Sequence, residues 1–155
     1  MDRIDKILNH DLFLYHLGKN NAAEADRRFC RHGMVHFLDV ARIGTIIALE
    51  EGLKIDREWI YAAALLHDCG KHEQYENGIP HEQASARIAP EILKACGFND
   101  EETGVIVTAI SRHRDPEAAK EKNLNGILYR ADKASRPALR AMRRRIATGK
   151  TARRT

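Results

Sequence analysis

The sequence predicts an all-α protein, a single compact helical bundle, and two observations support this class. Apolar residues recur at three- and four-residue spacing along most of the chain, and no stretch alternates as a half-buried strand would. The 155 residues, 43% of them hydrophobic and 31% charged, suit one soluble domain with a hydrophobic core. No apolar run approaches the roughly 20 residues that a membrane-spanning helix needs, so we expect no membrane partner.

The N-terminal half contains three predicted helices. Residues 2–17 carry isoleucine, leucine and phenylalanine at helical spacing and predict one continuous helix. The next helix covers residues 34–51 and closes at Gly52, a residue typical of helix ends. The segment "IDREWIYAAALLHD" begins with Asp56 as N-cap and is predicted to end near Gly70.

The C-terminal half continues the pattern. In "IPHEQASARIAPEILKACG", Pro80 suits a first helical turn and Gly97 a helix end, and Pro90 is expected to kink or split the helix. The segment "NDEETGVIVTAISRH" begins at Asn99 or Asp100, which are both good caps. The segment "LNGILYRADKAS" predicts one more helix.

Positive charge is concentrated at the C-terminal end of the chain. Residues 133–155 contain nine Lys or Arg and no acid, so the formal charge of +4 leaves −5 for residues 1–132. We expect a domain over residues 1–147, in which Pro137 opens a short basic helix, and a basic, flexible tail over 148–155. The tail could contact nucleic acid, but a solvated terminal helix with a frayed end is the favoured interpretation.

The three cysteines, Cys30, Cys69 and Cys96, are widely spaced and form no CxxC pair. This pattern argues against a zinc ribbon or a redox motif and is typical of reduced thiols. We therefore expect a cytoplasmic protein. The N-terminus "MDRIDKILNHDLF" carries acids and no cleavage-site pattern, which argues against a signal peptide.

Several helices carry a histidine or an aspartate on an otherwise apolar face. His36 precedes Val40, Ile43 and Ile47 on one face, and Asp132 follows Leu124 and Leu128. The full set, which includes the pair at the end of the third helix, is His36, His67, Asp68, His81, His113 and Asp132.

Each of these residues alone has an ordinary structural explanation. A single histidine on an apolar face is usually a satisfied core residue, and Asp132 could pair with Arg130 or Arg136. The joint pattern favours a metal site, because neutral imidazoles and carboxylates are the ligands of iron, manganese, zinc and cobalt. A cation would also relieve the unfavourable charge of Asp68 at a helix carboxyl end.

The other histidines are weaker candidates. We expect His10 and His16 to be surface or packing residues and His72 to face solvent in a loop. His32 lies one turn before His36 and is a candidate for the wall of a cleft.

Three motifs together resemble the H…HD…D pattern of the HD-domain metal-dependent phosphohydrolase superfamily. They are "HFLDVARI", "ALLHDCGK" and "RADKASRP", and the resemblance covers about residues 30–137. It implies an all-α HD fold. It also implies a divalent metal bound by His36, His67, Asp68 and Asp132.

Two further histidines resemble those of HD proteins that hold two metal ions. "IPHEQASARIA" contains His81 and "AISRHRD" contains His113. The nearest resemblance is to the bacterial HD-type diadenosine tetraphosphate hydrolases, whereas no Gly-Tyr-Pro signature of the HD-GYP phosphodiesterases is present. The resemblance implies that Asp68 bridges two ions, with His81 and His113 on the second. We expect one or two ions of Fe, Mn, Co, Zn or Mg, and favour two.

The predicted function is hydrolysis of a phosphoester or phosphoanhydride in a nucleotide or dinucleotide. Asp68 and Lys71 are the predicted catalytic residues, and the candidates for substrate binding are Lys71, Arg112, Arg114 and Arg136. Arginine and lysine suit this role because they form charge-assisted contacts with phosphate. An exposed loop cation is the alternative interpretation of Lys71.

Three alternatives remain open. The first is a single-metal nucleotidase in which His81 and His113 only lie near the cleft. The second is a non-catalytic HD module that senses nucleotides, and the most remote is a di-iron oxygenase. The sequence makes no prediction of oligomeric state.

Overall fold

The chain folds into helices alone over the residues that the computed structural model describes, 1–26 and 32–136. The all-α prediction is confirmed, since no strand occurs in these two ranges. The helices in chain order are α1 (Asp2–Leu8), α2 (Asp11–Ala23), α3 (Met34–Glu50), α4 (Arg57–Leu66), α5 (Lys71–Asn77), α6 (His81–Ala95), α7 (Asp100–Ser111), a 3-10 helix (Pro116–Lys120) and α8 (Leu124–Ala134).

Helix α4 is the central element of the bundle. Its residues from Ala62 to Leu66 are fully buried, and it contacts α1, α3, α6, α7 and α8. This second half of the helix is apolar on every side because it has no solvent face. The residues that follow it, His67 and Asp68, are consequently surrounded by other helices, and both are also fully buried.

The N-terminal segment is broken where the sequence predicted one continuous helix. Helix α1 ends at Leu8, and His10 is the N-cap of α2, with its Nδ1 accepting a hydrogen bond from the Leu12 N–H at 3.1 Å. Histidine is not among the usual capping residues. The break lets Ile7 and Phe13 both enter the core, where each is at most 1% exposed.

The turn between α4 and α5 contains His67 and Asp68, two of the predicted metal ligands. Helix α4 ends at Leu66 rather than near Gly70, and Gly70 is the N-cap of α5. Lys71 is therefore the first residue of a helix and is only 9% exposed. Gly70 lies against α6, where its N–H donates to Ser85 Oγ at 2.9 Å.

The starts of α4 and α7 agree with their predicted caps. Asp56 accepts from the Glu58 N–H at 2.8 Å, and Asn99 caps α7 in a reciprocal capping box with Glu102. The sequence predicted that Pro90 kinks or splits this helix, and the structure excludes the split because α6 continues through Pro90. The buried side chains Ile92 and Leu93 beyond Pro90 offset the hydrogen bond lost there.

The predicted helix at Pro137 and the tail at 148–155 lie outside the described residues. Among the helices described, none is both long and apolar enough to cross a membrane.

Replacing Gly70 by alanine should destabilise the protein. The added Cβ would lie 2.7 Å from the Ser85 backbone nitrogen and 2.8 Å from Ala84 Cβ, so α5 and α6 would have to separate. We expect the free energy of unfolding to fall by about 1–3 kcal/mol, as for other overpacked interiors, when measured by urea denaturation.

Gly104→Ala is the matched control. Its Cβ would meet nothing within 4 Å, so the helix-forming preference of alanine should stabilise the protein by about 0.5–1 kcal/mol. Equal unfolding midpoints for the two variants would contradict the close approach of α5 and α6.

Candidate metal centre

The structure brings all six predicted metal-ligating residues together at one point in the bundle. They come from the first turn of α3, the turn after α4, the start of α6, the turn after α7 and the last turn of α8. In chain order they are His36, His67, Asp68, His81, His113 and Asp132. All except His36 are buried.

One oxygen of the Asp68 carboxylate belongs to a first group of donors. Asp68 Oδ2 lies 3.4 Å from His36 Nε2 and 3.2 Å from His67 Nε2. Asp132 Oδ1 lies 3.2 and 3.5 Å from the same two nitrogens. Donors about 2.1 Å from a shared ion are about 3–3.4 Å apart at tetrahedral or octahedral angles. These four residues can therefore hold one metal ion.

The other oxygen of the same carboxylate belongs to a second group. Asp68 Oδ1 lies 3.3 Å from both His81 Nε2 and His113 Nε2, and these two nitrogens are 3.2 Å apart. Asp68 is thus shared between two donor groups and could bridge two ions.

Helix ends fix the orientation of two of the imidazole rings. His67 Nδ1–H donates to the Ala64 carbonyl and His113 Nδ1–H to the Ile110 carbonyl, each at 2.7 Å. Both acceptors are among the carbonyls that a helix leaves unpaired in its last turn. With the proton on Nδ1, each neutral ring presents a lone pair on Nε2, as metal-ligating histidines do.

His81 is oriented by a side chain instead. Its Nδ1 lies 2.6 Å from Gln74 Oε1, which can only accept a hydrogen bond. The Nε2 atoms of His81 and His113 then both carry lone pairs, and both face the negative charge of Asp68. Such an arrangement is repulsive unless a cation lies between the donors.

The central polar atoms have no hydrogen-bond partner within the described part of the chain. These atoms are Asp68 Oδ1, Asp68 Oδ2, His36 Nε2 and His67 Nε2. Their mutual distances are short, but the angles are not those of hydrogen bonds. Buried polar atoms are rarely left unpaired, and metal ions in the two donor groups would satisfy all four.

In the metal-free site, the surroundings shift the pKa values of His67 and His81 in opposite directions. Burial lowers the pKa of His67, but the charges and contacts of Asp68 and Asp132 outweigh burial and raise it to about 10. Burial, aided by the positive charge of Lys71, lowers the pKa of His81 to about 3 despite Asp68. Burial alone would raise the pKa of Asp68 and of Asp132, yet the neighbouring histidines hold both well below the ordinary range.

The predicted substrate-binding cations differ in their surroundings. Lys71 Nζ lies 3.2 Å from His81 Nδ1, and the charges of Arg114 and Arg136 act on Lys71. Arg136 Nη2 also contacts Asp132 Oδ1 at 3.2 Å. The guanidinium of Arg112, in contrast, is paired with acidic side chains of the segment that follows α7, Asp115 and Glu121.

Sequence reasoning missed most of a polar cluster beside the first donor group. His32 is 5% exposed, and its Nε2 lies 3.7 Å from Asp68 Oδ2. Its Nδ1 is 2.6 Å from Glu24 Oε2, which also accepts from the Tyr75 hydroxyl at 2.9 Å. The spacing of His32 before His36 was the available signal, whereas Glu24 offered none.

Asn20 also escaped the sequence reasoning. Its side-chain NH₂ donates to the Asp68 carbonyl at 2.8 Å, and its Oδ1 accepts from the His72 N–H at 2.8 Å. The prediction of a solvent-facing His72 was wrong, because this side chain is buried in α5 against His16.

Binding of Mn²⁺ near pH 7.5 should release at least one proton per chain. A histidine with a pKa of about 10 is protonated at this pH, and it must lose that proton to become a ligand. Titration calorimetry in two buffers of different ionisation enthalpy measures the release, which should decrease in His67→Gln. A binding heat that is independent of buffer would contradict the raised pKa.

Replacing Gln74 by leucine should lower the affinity for the ion that His81 would bind and leave the affinity for the other ion unchanged. The variant removes the acceptor that orients His81, and loss of such a partner typically costs 10–100-fold in metal affinity. A Mn²⁺ titration followed by electron paramagnetic resonance should show one weakened site beside one unchanged site. Gln83→Leu, at an exposed position of the same helix as His81, should leave both affinities unchanged.

Comparisons with known proteins identify the family of the chain. The family model described as HD domain matches residues 33–136. A protein of Clostridium beijerinckii, described only as uncharacterized, is 49% identical over 136 residues, which cover 88% of this chain and 85% of that protein. A crystal structure described as a predicted HD superfamily hydrolase, from an uncultured Thermotogales bacterium, is similar with a TM-score of 0.66 and 25% identity. The similarity covers 87% of this chain and 74% of that one. The chain belongs to the HD domain family.

Proposed function

We propose that the protein is a metal-dependent phosphohydrolase that cleaves a phosphoester or phosphoanhydride bond in a nucleotide or dinucleotide. The observation that carries the proposal is the convergence of four imidazole Nε2 atoms on the two oxygens of Asp68. Neither of these oxygens has a hydrogen-bond partner in the described residues. Membership of the HD domain family supports the same activity.

Six residues are proposed as ligands of two divalent ions. His36, His67 and Asp132 would hold the first ion, His81 and His113 the second, and Asp68 would bridge the two. When bound, the ions supply Lewis acidity towards a phosphoryl oxygen and activate water for attack. Fe, Mn, Co, Zn and Mg are all candidates.

Three cations are proposed to bind the substrate phosphates. Burial lowers the pKa of Lys71, and the positive charges of Arg114 and Arg136 act in the same direction, against the pull of Asp68. A phosphate group beside these cations would be stabilised by all three and would offset their mutual repulsion. Arg112 is left out of this set, because Asp115 and Glu121 occupy its guanidinium.

A nucleotide or dinucleotide substrate is favoured for two reasons. The six ligands resemble the set of the small two-metal HD hydrolases. A cationic cluster next to the ions also suits a substrate that carries several negative charges. We further propose that the enzyme acts in the cytoplasm and that the catalytic domain extends over residues 1–147.

One contact favours a single-metal nucleotidase as the second candidate. His81 Nδ1 faces both Gln74 Oε1 and Lys71 Nζ, at 2.6 and 3.2 Å. If Lys71 donates to Nδ1, the ring proton moves to Nε2 and His81 can no longer be a ligand. A bound metal content of one ion rather than two per chain would support this candidate.

A substrate panel with metal-loaded protein tests the proposed activity. The panel should span mononucleotides, dinucleoside polyphosphates, cyclic dinucleotides and guanosine tetraphosphate. Asp68→Asn should lose both the bound metal and turnover, because it replaces the carboxylate shared by the two donor groups with a neutral amide. Lys71→Met should keep the metal and lose about 10²-fold in kcat/KM, a typical cost for one lost transition-state donor.

Lys120→Met is the matched control, since this lysine is exposed in the 3-10 helix and should not affect turnover. Wild-type metal content and activity in Asp68→Asn would overturn the assignment of the centre. Tight nucleotide binding without turnover of any substrate would favour the non-catalytic sensor.

A further inference from the structure

A second cluster of candidate ligands lies on α5, formed by residues that the proposed centre does not use. His72 has a side chain only 2% exposed, and its Nδ1 has no hydrogen-bond partner in the described residues. This nitrogen faces the carboxylates of Glu73 and Glu76. An unpaired polar atom at such a buried position requires a partner.

The distances from His72 Nδ1 to the two carboxylates are too long for hydrogen bonds but short enough for a shared ion to lie between the donors. His72 Nδ1 is 3.8 Å from Glu76 Oε2 and 4.0 Å from Glu73 Oε1, whereas hydrogen bonds between such atoms are about 2.7–3.2 Å long. Two donors about 2.1 Å from one ion are separated by about 3–4.2 Å, depending on the angle between them. All three donor atoms lie within 4.8 Å of one another, so a small movement of the two partly exposed carboxylates would let one ion contact all three.

Outer contacts hold each carboxylate in this orientation. Lys19 Nζ binds the other oxygen of Glu76, Oε1, at 3.0 Å. Asn77 Nδ2 donates to the other oxygen of Glu73, Oε2, at 2.7 Å. Among the described residues, no other side chain is recorded on the oxygen nearer His72 in either case, so this oxygen can accept a ligand.

The imidazole of His72 is oriented as well. Its Nε2 lies 2.8 Å from His16 Nδ1, and the two rings stack at a centroid distance of 5.1 Å. If His72 Nε2–H donates to His16, Nδ1 carries the lone pair that a metal needs. The outer partner of the ring is then the second imidazole, in the way that carbonyls serve His67 and His113.

We propose that His72, Glu73 and Glu76 form an additional, peripheral site for a divalent transition metal such as Mn²⁺ or Zn²⁺. One imidazole nitrogen and two carboxylate oxygens match the preferences of these ions. The carboxylates are partly exposed, at 28% for Glu73 and 40% for Glu76, so water can complete the coordination.

An ion at this peripheral site would stabilise the start of α5. His72 directly follows Lys71, and its backbone N–H is held by Asn20. Binding would therefore reduce the motion of the helix turn that carries Lys71. The proposal does not depend on the identity of the substrate, or on hydrolysis.

Counting bound Mn²⁺ by electron paramagnetic resonance tests the proposal in the full chain. The double variant E73Q/E76Q should bind one ion fewer than the wild type. The matched control E91Q/E101Q makes the same charge change at exposed positions of α6 and α7 and should bind as many ions as the wild type. Equal counts in the wild type and E73Q/E76Q would overturn the site.

A second measurement keeps the test independent of the variants. In the wild type, direct binding of Zn²⁺ should shift the side-chain ¹⁵N NMR signal of His72 Nδ1, whereas ions at the Asp68 centre would bind the Nε2 atoms of other histidines. An unchanged His72 Nδ1 signal under saturating Zn²⁺ would overturn the site even if the double variant were unstable.

Discussion

The fully buried carboxylate of Asp68 is the constraint on which the rest of the structure depends. Burying a charge in a protein interior is costly unless opposite charge or strong hydrogen bonds compensate it. Here four imidazole nitrogens lie within 3.4 Å of its two oxygens, and the helices are arranged to deliver them. The central position of α4 follows from this requirement, because the turn after it must be reachable from α3, α6, α7 and α8.

The ligand set could be predicted because each residue interrupts a regular apolar pattern. His36 and Asp132 share a helix face with buried leucine, isoleucine and valine side chains, which places them inward wherever the helices pack. His67 and Asp68 directly follow the fully buried second half of α4 and are buried with it. His81 and His113 were found through the same periodicity and through resemblance to two-metal proteins.

The supporting residues could not be predicted because their roles arise only from tertiary contacts. Gln74 and Asn20 lie on short or weakly patterned helices, and nothing in the local sequence indicates what their amides contact. The error at His72 has the same origin. The sequence suggested that Gly70 would end a helix and release a loop, whereas a new helix begins there and turns His72 inward. The break at His10 was missed because histidine is an unusual cap.

The two amide hydrogen bonds of Asn20 have a consequence for how the site can vary among relatives. Helix α2 lies outside residues 33–136, the part that the HD domain model matches, yet it joins the Asp68 carbonyl to the backbone of α5. The main chain of Asp68 and the helix that begins at Lys71 are thereby geometrically coupled through a segment that the family description does not include. Changes in α2 could retune the relative position of these two groups while all six ligands stay the same.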